Sequence, residues 1–325
     1  MTLEISCYRE AGKIIREGGL VAFPTETVFG LGVDATNTSA IERLFEAKGR
    51  PSNNPLIVHL PDDSMWAKAA SDLTPHARTL LETFSPGPLS VVLPKADSIS
   101  QLVTAGLDSV AMRIPSHPTA NEILKEANVP VAAPSANLSG RPSSTTWKSV
   151  LEDLEGRIDA VFCEDCSCIG IESTVVDCRS ETPIILRPGA ITLEQIQQHI
   201  PSVKQLVVEN SSPAEDAAES ISSPGLLHPH YQPNAKVHLV DSASFDASAI
   251  DGPAAFCGTR TPDVNEDLVL TEVFDSIENY AAGFYEFLRE VDRQGIPEVF
   301  VESAPNSGLG RALLDRQQRA SDDRR

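Results

Sequence analysis

Several polar segments of this 325-residue sequence combine cations, hydroxyls and amides, which are the groups that bind anionic substrates. The segments are Phe23–Ala35, Glu46–Leu56, Met112–Pro118, Ala132–Ser143, Ile171–Val175 and Leu186–Gly189. Guanidinium groups suit phosphate and carboxylate ligands because they present a planar fork of hydrogen-bond donors. Each segment alone is typical of a polar turn that closes a strand. Together they favour a shared crevice at strand ends, where open α/β sheets bind their ligands.

Single residues in these segments also have ordinary structural interpretations. Lys48 and Arg50 could be a solvated helix end, and His59 could be a packed core histidine. Arg113 differs, because an unpaired guanidinium near the end of an apolar strand is costly to bury. From the sequence alone, the ordinary interpretation is favoured for Lys48, Arg50 and His59, and only the position of Arg113 is unusual for a purely structural residue.

Motifs of many well-known catalytic sites are missing. The sequence has no G-x-x-x-x-G-K-[ST] phosphate loop, no H-E-x-x-H zinc motif and no G-x-S-x-G nucleophile motif. Cys163, Cys166 and Cys168 form a C-x2-C-x-C pattern, but a second Cys or His pair at zinc spacing is missing. We therefore expect ordinary reduced cysteines and no protein-held metal ion.

Short apolar runs in the first part of the chain predict strands that lie between helices. The predicted strands are Leu20–Phe23, Leu56–Leu60, Leu89–Leu93, Val110–Ile114, Val129–Ala133 and Thr174–Asp177. A capping box at Ser39 and Glu42 predicts a helix that runs to about Lys48. Helical spacing is also present at His117–Ala127 and Thr192–His199. This interleaving indicates an α/β or mixed α+β fold, with a twisted mixed sheet and flanking helices.

A domain boundary is predicted at Asn210–Gly225, a stretch rich in Ser, Pro, Ala and acids. After it, the predicted strands are Lys236–Val240, Ala254–Cys257, Leu268–Leu270 and Glu298–Val301, and the predicted helices are Ser276–Arg293 and Ser307–Ala320. Their alternation predicts a smaller, Rossmann-like α/β domain with a parallel sheet. We therefore expect a first domain at 1–210, a linker or lid at 211–235 and a C-terminal domain at 236–325.

Charge and composition narrow the partners and the compartment. With 26 Lys and Arg against 46 Asp and Glu, the formal net charge is −20. Extended nucleic-acid binding needs several cations that face phosphates, so stable tRNA binding is not expected, although a local basic cleft for a small anion is allowed. No apolar run approaches the roughly 18 residues of a membrane span, and the N-terminus lacks the apolar core of a signal peptide. We expect a reducing cytoplasm and no membrane partner.

Four motifs in the predicted first domain form a set with a recognisable order and spacing. They are Pro24–Gly32, Lys48–Arg50, Ala133–Gly140 and Glu172–Val175. This set resembles the YrdC-like threonylcarbamoyl-AMP synthase family throughout residues 10–200. Ser223–Pro233 and Gly308–Arg316 resemble the long form of that family, which has a linker and an extra C-terminal domain. One departure is Phe29, where the family commonly has Tyr.

The resemblance implies an enzyme of the nucleotidyltransferase class. Such enzymes make threonylcarbamoyl-AMP and pyrophosphate from ATP, L-threonine and bicarbonate. The product is used to form threonylcarbamoyladenosine in tRNA, so downstream threonylcarbamoyl transferase proteins are expected partners. Mg²⁺ is expected because ATP carries it.

The resemblance also implies roles for individual residues. The catalytic set would be Lys48, Arg50, Ser135 and Asn137. ATP would be bound by Arg50, Asn54, Ser109, Ser135, Ser143, Arg187 and Tyr231, with Tyr231 closing over the nucleotide as part of a lid. L-Threonine would be bound by Thr27, His59, Arg113, Ala133 and Ser173, with Arg113 as the bidentate partner of the carboxylate.

Two other functions compete with this one. Adenylation of carbamoyl phosphate on a related fold would bring zinc-finger-like Cys pairs and an acylphosphatase region, and the sequence has neither. A non-catalytic RNA-binding or regulatory module of the same fold would need a basic surface, which the net charge of −20 argues against.

Overall fold

The computed structural model describes residues 1–165, 169–206, 230–241, 244–263 and 266–321. Within these residues, a large mixed sheet with flanking helices is followed by a smaller parallel sheet with its own helices. The predicted fold class is therefore confirmed. The predicted boundary at residue 210 and the linker segment 211–229 lie outside the described residues. In the part of the chain that the structure describes, every helix is too short or too polar to cross a bilayer.

The first sheet has eleven strands in the described residues. In chain order these are β1 (Leu3–Ile5), β2 (Val21–Phe23), β3 (Gly30–Asp34), β4 (Ile57–His59), β5 (Leu89–Pro94), β6 (Ser109–Arg113), β7 (Val131–Ala132), β8 (Ala160–Phe162), β9 (Thr174–Asp177), β10 (Ile184–Arg187) and β11 (Lys204–Gln205). The spatial order is β1-β8-β2-β3-β7-β4-β6-β5-β9-β10-β11. Neighbours such as β4 and β6 are parallel, whereas β2 and β3 are antiparallel. This order brings strand ends from distant parts of the sequence together.

Helices cover both faces of the first sheet. They are α1 (Tyr8–Arg16), α2 (Thr38–Lys48), α3 (Pro75–Phe84), α4 (Pro118–Ala127), α5 (Trp147–Leu154) and α6 (Leu193–Gln197). Successive strand residues point to opposite faces, so Val21 and Ala22 of β2 belong to different cores. Val21 packs with Ile15 of α1 and Leu124 of α4. Ala22 belongs to the larger core on the other face, to which α2, α3 and α5 contribute.

The second domain is built on a parallel four-stranded sheet in the order β12-β15-β13-β14. Its elements are β12 (Lys236–Val240), β13 (Ala254–Gly258), β14 (Leu268–Val273), α7 (Ile277–Arg293), β15 (Glu298–Glu302) and α8 (Gly308–Ser321). The core of this domain includes Tyr280 and Phe284 of α7, and it also takes in Val28 and Ile171 from the first domain. The two domains therefore share a continuous apolar core.

The N-terminus of α2 corrects a sequence prediction. Asn37 is the N-cap, and its side-chain oxygen accepts a hydrogen bond from the Ala40 amide at 3.2 Å. Ser39 lies inside the first turn and donates its hydroxyl to Asn37 Oδ1 at 2.8 Å. The predicted capping box at Ser39 and Glu42 is therefore wrong. The N-cap position that Ser39 was expected to fill is occupied by Asn37, whose side-chain oxygen accepts the helix amide.

The segment after β2 corrects a second prediction. The polar stretch after Phe23 was expected to be a loop, but Gly30–Asp34 forms strand β3, which pairs antiparallel with β2. A Cβ atom at Gly32 would lie 2.5 Å from Cε1 of Phe23, so only glycine allows this approach. Glycine at position 32 therefore lets two strands pack closely.

Candidate active site

A pocket of about 630 Å³, including the part that is open to solvent, lies where several strand ends and loops of the first domain meet. It is lined by Thr25, Thr27, Val28, Phe29, Gly30, Arg50, Pro55, Leu56, Ile57, His59, Arg113, Ala133, Pro134, Ser135, Asn137, Glu172, Ser173, Arg187, His230 and Tyr231. All six polar segments selected from the sequence contribute residues to this lining. The crevice predicted from the polar segments is therefore present.

Arg50 reaches the pocket from the end of helix α2. Gly49 follows the last helical residue with φ +58°, a left-handed conformation that glycine adopts without strain and that turns the chain away from the helix axis. The Arg50 guanidinium donates to the carbonyl oxygens of Pro55, at 3.0 Å, and Asn54, at 3.3 Å. Burial, aided by the positive charge of Arg187, lowers the pKa of Arg50 to about 10, so it remains a cation at neutral pH.

Arg187 ends strand β10 and enters the same pocket. Its Nε and Nη2 atoms donate to the carbonyl oxygen of Ser173 at 3.1 and 3.0 Å, and Nη2 also donates to Ser173 Oγ at 3.2 Å. Burial lowers the pKa of Arg187. Among the described residues, no carboxylate oxygen lies within 4.0 Å of the guanidinium of either Arg50 or Arg187. Neither guanidinium has a direct ion-pair partner among the described residues, although the carboxylate of Glu172 is close enough to Arg187 for each charge to shift the pKa of the other group.

The loop after β7 forms another wall of the pocket. The Lys48 ammonium donates hydrogen bonds to the carbonyl oxygen of Ser135, at 2.6 Å, and to that of Asn137. Ser135 donates its hydroxyl to Asn137 Oδ1 at 2.6 Å, and the Asn137 amide donates to the Arg141 carbonyl at 2.9 Å. Burial, together with the charge of Arg50, holds the pKa of Lys48 well below its usual value. Lys48 thus fixes the loop that presents Ser135 and Asn137.

Arg113 enters the pocket from the last position of β6 and has contacts of its own. Its Nη1 donates to Thr27 Oγ1 at 3.0 Å, and its Nη2 forms an ion pair with Glu26 at 2.7 Å. Burial alone would raise the pKa of Glu26, but the charge and hydrogen bond of Arg113 outweigh it and lower that pKa. Glu26 and Thr27 therefore hold the guanidinium in place at the pocket wall.

His59 faces Arg113 across the parallel pair of β4 and β6. Burial lowers the pKa of His59 to about 3, and the positive charge of Arg113 adds to this effect. The imidazole is therefore neutral near pH 7. It can accept or donate a hydrogen bond, but it does not contribute charge to the pocket.

Residues from beyond the first domain complete the wall beside Arg50 and Arg187. His230 lies 3.4 Å from Asn54, measured from Nε2 to Nδ2. Tyr231 is 5% exposed, and its ring stacks on the ring of Tyr285 from α7 with centroids 5.2 Å apart. The structure thus places the predicted lid residue Tyr231 in the pocket wall, against the second domain.

The residues selected from the sequence fall into two groups. The structure brings ten of them to the pocket lining: Thr27, Arg50, His59, Arg113, Ala133, Ser135, Asn137, Ser173, Arg187 and Tyr231. The other four, Lys48, Asn54, Ser109 and Ser143, are buried but do not line it. Ser143 instead donates its hydroxyl to Glu172 at 2.7 Å.

Ten lining residues were not selected from the sequence as site residues, and two of these, Glu172 and His230, carry ionisable side chains. Each is adjacent to a selected residue, Glu172 to Ser173 and His230 to Tyr231. Adjacency in a loop is the signal that could have found them, because neighbouring loop residues often face the same cavity.

Two family models match the chain. The Sua5–YciO–YrdC model, described as "Telomere recombination", matches residues 13–189. A model described as "Threonylcarbamoyl-AMP synthase, C-terminal domain" matches residues 191–322.

Curated relatives and a solved structure resemble the chain over nearly its whole length. The threonylcarbamoyl-AMP synthase of Bacillus subtilis (strain 168) is 39% identical, over 97% of this chain and 93% of the relative. The protein of the same name from Pyrococcus abyssi (strain GE5 / Orsay) is 36% identical, over 96% and 93%. The crystal structure of P. abyssi Sua5 complexed with L-threonine has a TM-score of 0.86 at 34% identity and covers 99% of this chain and 97% of that one.

Proposed function

The chain belongs to the Sua5–YciO–YrdC family in its two-domain form, and on this premise we propose that it condenses ATP, L-threonine and bicarbonate into threonylcarbamoyl-AMP and pyrophosphate. It is an enzyme of the nucleotidyltransferase type, since relatives named threonylcarbamoyl-AMP synthase are 36% and 39% identical over nearly the whole chain. The product serves threonylcarbamoyladenosine formation in tRNA. ATP and bicarbonate as substrates, and the roles of single residues, belong to the proposal.

The observation that supports it most strongly is the excess of positive charge in the pocket. Arg50 and Arg187 are buried there, and among the described residues no carboxylate lies within 4.0 Å of either guanidinium. Glu172 interacts with Arg187 only from beyond that distance. Buried cations without a direct ion-pair partner are expensive, so a site that keeps them is typical of one that binds an anion. A triphosphate supplies several anionic oxygens, and arginine matches their geometry.

The part of the pocket around Arg113 suits the amino-acid substrate, L-threonine. Arg113 is held by Thr27 and Glu26 and can present its remaining donors to the carboxylate of L-threonine. The solved relative from P. abyssi was crystallised with L-threonine, which supports this part of the proposal. With the phosphates near Arg50 and Arg187, the two substrates would lie side by side in the same cavity.

The proposed reaction has two steps. L-Threonine and bicarbonate lose water to form a carbamate anion on the amino nitrogen. A carbamate oxygen then attacks the α-phosphorus of ATP, and the bond from that phosphorus to the bridging oxygen breaks, so pyrophosphate leaves with the electron pair. Such a step depends on positioning and charge neutralisation rather than on a titrating base, and the pocket offers both through fixed arginines.

The described residues do not fit a protein-made site for Mg²⁺. They include no group of three or more His, Cys, Asp or Glu side chains that could hold a metal ion. The carboxylates nearest the pocket, Glu26 and Glu172, form ion pairs with Arg113 and Arg316. We therefore propose that Mg²⁺ enters as part of the MgATP substrate, and we assign it no protein ligand.

We further propose that the enzyme acts in the cytoplasm and passes its product to a threonylcarbamoyl transferase. The net charge of −20 supports transfer of a small molecule rather than stable tRNA binding by this chain. It also disfavours the alternative of an RNA-binding module.

The first experiment is a product assay with the full-length protein. With MgATP, L-threonine and bicarbonate, we expect release of pyrophosphate and formation of threonylcarbamoyl-AMP, detected by mass spectrometry. Omission of L-threonine or of bicarbonate should abolish the adenylate product. Absence of that product with all three substrates present, in protein that is folded by circular dichroism, would refute the proposed function.

A matched pair of arginines tests the charge argument. Arg187→Met removes a buried cation from the pocket, whereas Arg179→Met removes a half-exposed arginine, paired with Asp177, from the turn between β9 and β10. We expect Arg187→Met to raise the KM for ATP at least about tenfold, a change of about 1.4 kcal/mol. Arg179→Met should leave it within about twofold. Equal effects of the two variants would contradict a phosphate-binding role for Arg187.

A further inference from the structure

Helices α7 and α8 of the second domain deliver two side chains to the back of the pocket wall. They are Tyr285 on α7 and Arg316 on α8, and both are fully buried. Neither lines the cavity itself. Both contact Glu172 and Tyr231, which do line it. The second domain is therefore in direct contact with the residues that bound the site.

Glu172 is the centre of this arrangement. Its carboxylate accepts hydrogen bonds from Arg316 Nε at 2.9 Å, from Tyr285 Oη at 3.1 Å and from Ser143 Oγ at 2.7 Å. Burial alone would raise the pKa of Glu172, but the charges of Arg316 and Arg187 and these hydrogen bonds lower it to about 2. A buried carboxylate satisfied in this way is rigid, so its partners are held in fixed places.

Arg316 connects three parts of the chain. Besides Glu172, its Nη2 donates to the carbonyl oxygen of Pro188, one residue after Arg187, at 3.0 Å. Its guanidinium carbon lies 5.6 Å from the centre of the Tyr231 ring, which is a cation–π contact. A lysine could keep the charge but not the planar fork that makes these contacts together.

Tyr231 is held in an unfavourable backbone conformation. Its φ is +67°, a left-handed value that a tyrosine adopts only when its surroundings stabilise it. Those surroundings are the stacked ring of Tyr285 and the guanidinium of Arg316. The next residue, Gln232, is fixed by a hydrogen bond from its amide to the Gly140 carbonyl at 2.8 Å. The contacts of Arg316 and Tyr285 therefore offset a local strain at the pocket wall.

We propose that Arg316 is a positioning residue for the ATP end of the active site, through which the second domain holds Tyr231 and the Glu172 wall in place. This inference rests on the proposed function and goes beyond it, because it gives a residue outside the cavity a part in nucleotide binding. The second domain is then a structural part of the ATP site.

The contacts of Arg316 point to the nucleotide end rather than to the amino-acid end. Tyr231 lies close enough to Arg50 and Arg187 to act on the pKa of both. Arg113 instead interacts with Thr27 and Glu26, neither of which contacts Arg316. Loss of Arg316 should therefore weaken ATP binding and leave L-threonine binding nearly unchanged.

The test is direct binding by titration calorimetry with the full-length protein, using MgATP and L-threonine as separate probes. The first variant is Arg316→Lys, which keeps the buried charge near Glu172 and loses the fork. We expect its Kd for MgATP to rise at least about tenfold and its Kd for L-threonine to stay within about twofold. A second variant, Tyr231→Leu, should have a similar effect, and the double variant should lose less than the sum of the two because both act on the same contact.

Arg311 provides the matched control on the same helix. It also reaches across to the first domain, where its Nη2 pairs with Glu194 at 3.0 Å, but it does not touch the pocket. Arg311→Lys should bind both probes as the wild type does. A general weakening of the domain interface would instead affect Arg311→Lys and Arg316→Lys alike.

The outcomes separate this inference from the proposed function. If the wild type fails to bind MgATP, the proposed function itself fails. If the wild type binds MgATP and Arg316→Lys binds it equally well, the positioning role is refuted while the proposed function stands. An equal loss of affinity for both probes would also refute it, because that is the effect of a merely structural residue. Should Arg316→Lys not fold, Tyr231→Leu decides the question by the same two affinities.

Discussion

Burial of His59 next to a cation lowers its pKa so far that the imidazole cannot act as an acid or a base near neutral pH. The residue is 3% exposed, and burial lowers its pKa to about 3, with Arg113 adding to the effect. A general base works best when its pKa lies near the working pH. His59 therefore lines the pocket as a neutral side chain, and its pKa is too low for it to act as the general base of the proposed reaction.

The same shift predicts how stability depends on pH. In the unfolded chain His59 binds a proton below about pH 6.5, whereas in the folded chain it stays neutral down to about pH 3. The unfolded state thus binds more protons in this window, so stability falls as the pH is lowered. His59 alone should contribute a loss of about 2 kcal/mol between pH 7 and pH 5.

Urea denaturation of the wild type and of His59→Gln at these two pH values measures the contribution. The variant has no titrating group at this position, so its stability should fall by about 2 kcal/mol less than that of the wild type over the same interval. Other histidines are common to both proteins and cancel in the difference. Equal losses in the two proteins would mean that the folded chain protonates His59 in this range.

The places of single residues in the pocket were predictable only in part. Arg113 ends an apolar strand and was expected in the crevice from that position, whereas His59 was expected there only from the family resemblance; both line the pocket. Lys48 was expected at the reacting groups, but its ammonium donates to the carbonyl oxygens of Ser135 and Asn137. The direction of a side chain at a helix end depends on which carbonyl groups lie near it. The carbonyl groups near Lys48 come from a distant part of the chain, so the local sequence could not predict them.

At the scale of elements, helix α2 shows how a pattern can predict a helix and mistake its cap. Asn37 accepts the Ala40 amide, and Ser39 only donates to Asn37. We expect Asn37→Ala to lower the free energy of unfolding by about 1 kcal/mol, because a helix amide then loses its partner. Ser39→Ala should cost less than about 0.5 kcal/mol.

Urea denaturation of the two variants beside the wild type checks this prediction. Neither residue lines the pocket, so the KM for ATP should stay within about twofold in both variants, which serves as the control for an intact site. A larger loss for Ser39→Ala than for Asn37→Ala would restore the capping box expected from the sequence.

Strand β3 shows why some strands cannot be predicted from the local sequence. Its glycines at positions 30 and 32 indicate a loop when only local propensity is considered. In the folded chain, Gly32 gives the Phe23 ring of β2 room to pack closely. The reason for glycine at this position lies in a neighbouring strand, so a local pattern could not predict it.

At the scale of the whole molecule, the two domains are joined by buried charged groups as well as by apolar contacts. Arg289 of α7 pairs with Asp153 of α5 at 2.8 Å, and the two side chains are 1% and 0% exposed. Arg289 also donates to the carbonyl oxygen of Pro142 in the loop that follows Asn137. These partners are more than a hundred residues apart along the chain, so neither pairing could be predicted from the sequence, although both domains could.

These shared contacts predict that the two domains unfold together. The two tryptophans, Trp66 and Trp147, both lie in the first domain, so their fluorescence reports on that domain alone. Far-UV circular dichroism reports on the helices and strands of both domains. In urea, the two signals of the wild type should give the same midpoint, which is the usual test of a single cooperative transition.

Removal of Arg289 should separate the two signals. Among the described residues, Arg289→Met leaves the buried Asp153 with Arg141 as its one ion-pair partner within 4.0 Å. Loss of one member of a buried ion pair costs about 3–5 kcal/mol. We expect the tryptophan and circular dichroism midpoints to differ in this variant, because the contact that couples the domains is weakened. Arg293→Met, on the same helix, removes an arginine that is 33% exposed and should keep the midpoints together. Separate midpoints already in the wild type would show that the domains unfold independently despite their common core.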